Sequence, residues 1–219
     1  MRFLSAGSRA VLLELGALEE VVAVHDRLRR RPPDGVTQLV PAARTILVGF
    51  DPEVTTPDRL AAQVASVTSS ASGTITQAHA GTEHALAEDV PRPEVRIPVV
   101  YDGPDLADVA ELTGLGVAEV VERHAATTYT VAFCGFAPGF AYLSGLDPLL
   151  RLPRREVPRT QVPAGSVAIS DRFTAVYPHV SPGGWHLLGS TTAVMWDVDR
   201  RPPGLLAPGD RVRFVPVRP

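Results

Sequence analysis

Cys134 is the only cysteine of this chain. No internal disulfide can form, and a reducing compartment fits. No apolar run approaches the ~20 residues that span a bilayer. The first segment, MRFLSAGSRAVLLELGALEE, is cut by Ser8-Arg9 and Glu14 and makes a poor signal peptide. Neither GxxxxGKS nor GxxxxGKT occurs, which argues against a P-loop nucleotide site. The histidines are scattered, with no HxxxH pair and no cysteine partners, so the pattern holds no metal cluster. A large excess of either charge is missing too. The net charge is −3, and the chain does not look built for nucleic acid or anionic membranes. The expectation is a soluble cytoplasmic protein with no nucleic-acid or membrane partner.

What is present is apolar content of 45% in 219 residues, enough for a real core in one domain or two. The 21 prolines and 18 glycines point to turns and short strands. RAVLLEL reads as a strand stopped by Gly16. Leu18, Val21, Val22, His25 and Leu28 then recur at helical spacing, with acids leading and arginines trailing, until Pro32-Pro33. VTQLVPA and RTILVGF read as strands. A second helix starts at Pro57 with Thr56 as cap and Leu60, Ala61 and Val64 inward. A weaker strand, GTITQAHA, follows. These elements predict a small α/β layer domain over residues 1–80. The polar, proline-punctuated stretch 81–93 reads as a linker.

Residues 94–219 restart with the strand VRIPVV. Two short helices follow, DLADVAELTG and VAEVVERHA, and then a series of short strands broken by Gly and Pro. YTVAFC, GSVAIS, FTAVYP, WHLLGST, AVMWDV and RVRFVPV predict a barrel or sandwich. The fold class is therefore α+β.

Seven stretches in this half form a familiar series: IPVVYDGPDL, VVERH, GFAPGFAYLSGL, LPRREVPR, VPAGSVAIS, VYPHVSPGGWHLLGST and LLAPGDRVRFVPV. In that order they resemble the B subunit of 5-oxoprolinase, a family also called PxpB or KipI and allophanate hydrolase subunit 1. The resemblance implies a C-terminal cyclophilin-like β-barrel. It also implies a hetero-oligomer with the C and A subunits of that enzyme, which together cleave 5-oxo-L-proline to L-glutamate using ATP with Mg²⁺. One member of that family instead inhibits a sensor histidine kinase, which is the alternative expectation. Arg172–Val176 stands where the family has a Gln-Thr-Gly run, and Ser190 where it often has Arg. Both departures are expected near the pocket.

Phe136, Phe140 and Tyr142 alternate along the turn-rich segment Phe133–Asp147. They read either as the apolar wall of a pocket or as a core corner. Cys134 has no basic neighbour in sequence, so a buried structural thiol is expected rather than a nucleophile. In RLPRREVPR, prolines hold Arg151, Arg154, Arg155 and Arg159 in an extended backbone. A guanidinium binds a carboxylate or phosphate through two parallel hydrogen bonds, so anion binding is one reading and a solvated surface the other. Gly165 and Ser166 could offer backbone N–H groups to an anion. Tyr177 and Trp185 are placed with the substrate, although Trp185 also suits the barrel interior. His124 lies on the apolar face of its helix. It reads as a core histidine, or, by the resemblance, as a proton carrier. The expected catalytic set is His124, Arg154 and Arg159. Phe136, Phe140, Tyr142, Arg155, Gly165, Ser166, Tyr177 and Trp185 are expected to bind a cyclic amide, with no metal ligand.

Overall fold

The structure is a computed structural model that describes residues 1–69 and 94–218. The described residues fall into two compact units, one before and one after the intervening stretch. The expected strand GTITQAHA and the expected linker 81–93 lie outside the described residues.

In the first unit, β1 (Arg2–Ser5), β2 (Ala10–Glu14), β3 (Val36–Pro41) and β4 (Thr45–Phe50) form an antiparallel sheet in the order β1-β2-β4-β3. Helices α1 (Leu18–Arg30) and α2 (Pro57–Ser69) supply the rest of the core. At the start of α1 the Glu20 carboxylate accepts the Gly16 N–H at 2.8 Å, beside the positive end of the helix dipole. The buried face of α1 is Leu18, Val21, Val24, His25 and Leu28. Val24 takes the place expected for Val22, because the helical stripe drifts across both spacings of three and four. The Thr56 hydroxyl accepts the Arg59 N–H at 3.4 Å and caps α2. Leu60 and Val64 are fully buried against Val11, Leu13, Ile46, Val48 and Phe50, and Ala61 is half-buried.

The second unit contains β5 (Val95–Val99), α3 (Leu106–Thr113), α4 (Val117–Ala126), β6 (Tyr129–Cys134) and β7 (Ala141–Ser144). A short 3-10 turn, Pro148–Leu150, leads to β8 (Arg159–Val162), β9 (Ser166–Ser170), β10 (Phe173–Val176), β11 (Ser181–Gly183), β12 (His186–Ser190) and β13 (Arg211–Pro216). Seven of these strands pair in the order β12-β9-β10-β7-β6-β13-β5. Only the β13–β5 pair is parallel. Beyond β5, Val100 exchanges both backbone hydrogen bonds with Ser190 at the end of β12, at 2.9 and 2.8 Å. That bridge joins the two edges, so the mixed sheet nearly closes into a barrel, as the run of short strands predicts. β8 and β11 form a separate two-stranded ribbon.

Side-chain alternation gives the barrel wall two apolar faces. Val167 and Ile169 of β9, Val176 of β10 and Leu188 of β12 join the main core with Tyr129, Leu143 and Phe214. Ala168, Ala175 and Leu187 face the other way, into a smaller cluster with Phe140, Val162, Tyr177 and Trp185. All five residues of β9 are buried for this reason. The candidate site lies over this smaller cluster.

One expected strand is absent. AVMWDV is a loop in which Val194, Trp196 and Val198 are exposed. It is held by the Arg200 guanidinium, which donates to the carbonyls of Val194, Met195 and Pro203 at 3.2, 3.3 and 2.8 Å. Gly114 ends α3 with φ +69°, as its position at the end of the periodic run predicts.

Candidate functional site

The segment Phe133–Asp147 is a hairpin. Phe133 pairs with Tyr142 and Cys134 with Ala141. The turn closes through Gly135 N–H to Phe140 O at 3.1 Å and Phe140 N–H to Ala137 O at 3.0 Å. Gly139 has φ +82°, and a Cβ there would stand 2.8 Å from that of Trp196, so glycine is required on both grounds.

The hairpin carries one wall of a cavity of about 260 Å³. Phe136, Phe140, Tyr142, Tyr177 and Trp185 supply its aromatic surface. Phe140 is the hub. Its ring centre is 5.0 Å from Tyr142, 5.3 Å from Tyr177 and 5.6 Å from Trp185, in tilted or edge-to-face contacts. The rest of the lining is Arg154, Arg155 and Pro158, with the turn Pro182-Gly183-Gly184. A Cβ on Gly183 would run into the Tyr177 hydroxyl, so this turn approaches the ring only as glycine. The Arg155 N–H donates to Gly184 O at 2.8 Å and ties the arginine segment to it. The aromatic segment therefore lines a cavity, with Phe140, Tyr177 and Trp185 serving as packed floor as well as wall.

The arginines are not equivalent. Asp105, only 1% exposed, collects two of them. Arg159 donates to its two carboxylate oxygens at 2.9 and 2.6 Å, and Arg155 to one of them at 2.6 Å. The Leu187 N–H adds a fourth bond at 2.7 Å. Burial alone would push the Asp105 carboxyl up. The Arg159 guanidinium, the Leu187 N–H and the charge of Arg155 outweigh it and hold the group below the usual carboxylate range. Arg159 is thus a buried-pair partner and does not line the cavity, which corrects its expected catalytic role. Arg155 reaches the wall sharing the Asp105 charge with Arg159, with exposed Asp108 3.7 Å away and its own Nε buried without a hydrogen-bond partner among the described residues. Arg154 is exposed and has no ion pair or hydrogen bond among the described residues. Its charge is felt by Tyr142 and Tyr177. Burial raises both phenols, and Arg154 opposes that.

Asp105 was not singled out by the sequence reading. It sits in DGPDL just before α3, where an aspartate reads as a helix cap. It caps nothing with its side chain, which turns toward the arginines instead.

Three other expectations need correction or placement. His124 is fully buried, away from the cavity lining, between the Tyr101 hydroxyl at 2.7 Å and the Thr174 hydroxyl at 2.9 Å. Burial pushes its pKa down to about 3, so near neutral pH it is an uncharged core group and not a proton carrier. The N–H groups of Gly165 and Ser166 are already spent on Tyr177 O and Pro163 O, at 2.8 and 3.3 Å, so they present no anion nest. Neither departure from the family pattern lines the cavity. Thr174 holds His124, and the Ser190 hydroxyl donates to Asp102 at 3.0 Å.

The Cys134 thiol is partly buried, and burial together with the charge of Asp210 pushes it up to about 11. A free cysteine ionises near 8.5, so the folded thiolate fraction at neutral pH is lower by about two orders of magnitude. Labelling of the folded chain with Ellman's reagent is expected to run about a hundredfold slower than in urea. Labelling at the free-thiol rate would contradict this environment.

Residues 1–206 match the family described as carboxyltransferase domain, subdomain C and D. The B subunit of the 5-oxoprolinase of Escherichia coli O157:H7 is 53% identical over 125 residues, which are 56% of this chain and 57% of that protein. The protein of the same name from Bacillus subtilis (strain 168) is 44% identical over 135 residues, 59% of this chain and 56% of that protein. The chain thus spans a little over half the length of the curated relatives it matches. A crystal structure of TTHA0988 superposes with TM-score 0.74 at 35% identity, covering 96% of this chain and 40% of that one. The resemblance carried by the seven motifs is thereby supported across whole stretches of sequence, and neither curated relative bears a kinase-inhibitor name. With residues 1–206 of 219 inside the match, the chain belongs to the family of the carboxyltransferase domain, subdomain C and D.

Proposed function

We propose that the chain is the B subunit of an ATP-dependent 5-oxoprolinase, working with the A and C subunits on 5-oxo-L-proline. The names of its relatives support the assignment. The observation that carries the ligand reading is a single unpaired guanidinium, Arg154, at the rim of an aromatic cavity of about 260 Å³. 5-Oxoproline is a small flat ring with one carboxylate. Its carboxylate fits the fork of Arg154, and its ring fits the space between Tyr142, Phe136 and Trp185. We read the barrel as cyclophilin-like and the protein as cytoplasmic. Among the described residues no helix is long and apolar enough to cross a membrane.

Opening the lactam breaks its C–N bond. Water adds to the carbonyl carbon, and the nitrogen leaves with a proton as the amine of glutamate. Amide resonance opposes attack, and ATP overcomes this by activating the lactam oxygen. The cavity does not fit ATP–Mg²⁺. Its lining has arginines and rings but no His, Asp or Glu to serve as base or metal ligand. The nucleotide chemistry is therefore assigned to the partner proteins, and this chain's part is to bind and orient the acid.

Two expected results test the assignment. The purified chain shows no oxoproline-dependent ATP hydrolysis, and the three co-expressed proteins of the complex show it. In that complex Arg154→Ala raises the KM for oxoproline about 10- to 100-fold, the range for losing a charged hydrogen-bond pair. Turnover by the chain alone, or a complex indifferent to oxoproline, overturns the proposal.

A further inference from the structure

Phe136 stands in a conformation that its residue type disfavours. Its φ is +70°, in the left-handed region where a Cβ crowds the backbone. The residue is 62% exposed. Both features oppose folding of the free chain. The neighbouring residue Gly135 would take a positive φ without strain and has open space around it, yet the left-handed step falls one residue later, on the phenylalanine. The main structural return is one edge-to-face contact with Phe140, at 5.2 Å and 73°. The ring nevertheless lines the cavity, on the same lining as Arg154 and Trp185. Strain held at a position where the side chain meets a binding cavity points to a ligand as the missing contact.

Resting on the assignment of this cavity as the ligand site, we propose that Phe136 is its specificity-determining cap. The left-handed backbone holds the phenyl ring at the mouth, where it covers one face of a small flat monoanion whose charge meets Arg154. The class of ligand is set by both groups together. A flat ring gains from the aromatic cover, and a negative charge suits Arg154, since the two neighbouring guanidiniums, Arg155 and Arg159, already hold the Asp105 carboxylate.

The test uses the full chain and the aromatic sulfonate 1-anilinonaphthalene-8-sulfonate as probe, followed by its fluorescence. Wild type binds it, Arg154→Ala weakens it, and Phe136→Gly weakens it about tenfold, the loss for one ring contact and its buried area. Phe136→Trp keeps an aromatic cover and stays within about threefold of wild type. Phe136→Gly melts no lower than wild type, because glycine relieves the left-handed strain. No probe binding by wild type, or unchanged binding in Phe136→Gly, overturns the cap. So does a drop of several degrees in its melting temperature, which would mark an ordinary core ring. The probe is not oxoproline, so a failure of oxoproline to bind would remove the substrate assignment and leave this result standing.

Discussion

Asp105→Ala is expected to destabilise the barrel unit by about 2–4 kcal/mol, measured by urea unfolding followed through tryptophan fluorescence. Both tryptophans of the chain, Trp185 and Trp196, lie in this unit, so the signal reports on it alone. The carboxylate is buried and accepts four hydrogen bonds from two guanidiniums and one backbone N–H. Alanine leaves all four donors without an acceptor. The arginine side chains are 29% and 25% exposed, so water recovers part of the loss, which places the effect at the lower end of the range for broken buried pairs. Asp108 is the control. It is 3.7 Å from Arg155 but 59% exposed, and its removal should change stability by less than about 0.5 kcal/mol. The pH dependence has a definite sign. The Asp105 carboxyl is held below its unfolded value, so its stabilisation is present above the unfolded pKa of about 4 and is lost as pH falls through the lower folded one. An Asp105→Ala chain as stable as wild type would mean that the two arginines need no counter-charge, and the distinction between them and Arg154 would fall.

That distinction is the part of the site the sequence could not supply. The aromatic wall was legible because Phe136, Phe140 and Tyr142 lie in one short hairpin. Tyr177 follows β10, which pairs with β7, whereas Trp185 precedes β12, two strands further along the sheet, and meets the hairpin only through the curl of the barrel wall. The arginines were legible as a group, held extended by prolines. Which of them is unpaired depends on Asp105, 50 residues from Arg155 and 54 from Arg159, and an ion pair over that span leaves no local pattern. Gly165-Ser166 fails for the same kind of reason. Its N–H groups look free in sequence, and only the return of Tyr177 and Pro163 consumes them. The main helices and strands were read from periodicity, which is a local property. AVMWDV shows where period alone misleads. Its alternating apolar residues point to solvent, and its backbone is satisfied by an arginine clasping carbonyls and by a single bridge to residues 203–205 rather than by a full strand. β1, β7, β8 and β11, of three or four residues, offer too little period to be read, whereas the equally short β10 was legible from the apolar run FTAVYP.

Acid is expected to weaken the barrel unit well before its carboxylates titrate, through His124. The ring is enclosed, stacked on Phe214 with centres 4.8 Å apart. Its protonation is fixed by its neighbours. The Thr174 hydroxyl donates to Ala168 O at 3.0 Å, so its oxygen receives the His124 Nε2–H, and Nδ1 accepts from the Tyr101 hydroxyl. A proton on Nδ1 would place a buried charge in the core and turn the Tyr101 donor away. The folded pKa of about 3 lies below the unfolded value of about 6.5. The unfolded chain therefore binds a proton that the folded chain does not, and stability falls as pH drops from about 6.5 toward 3. The full span amounts to on the order of 5 kcal/mol. His25 in the first unit, lowered by burial and by Arg29, acts with the same sign, so the informative comparison is between variants followed by tryptophan fluorescence. His124→Gln, which keeps polar atoms but cannot take a proton, is expected to be less stable than wild type at pH 8 and to lose most of the slope between pH 6.5 and 4. The His124 Cε1–H resonance should not titrate between pH 8 and 5. A resonance that moves with a midpoint near 6.5, or an unchanged slope in the glutamine variant, would show a ring open to protons and would restore it as a candidate carrier.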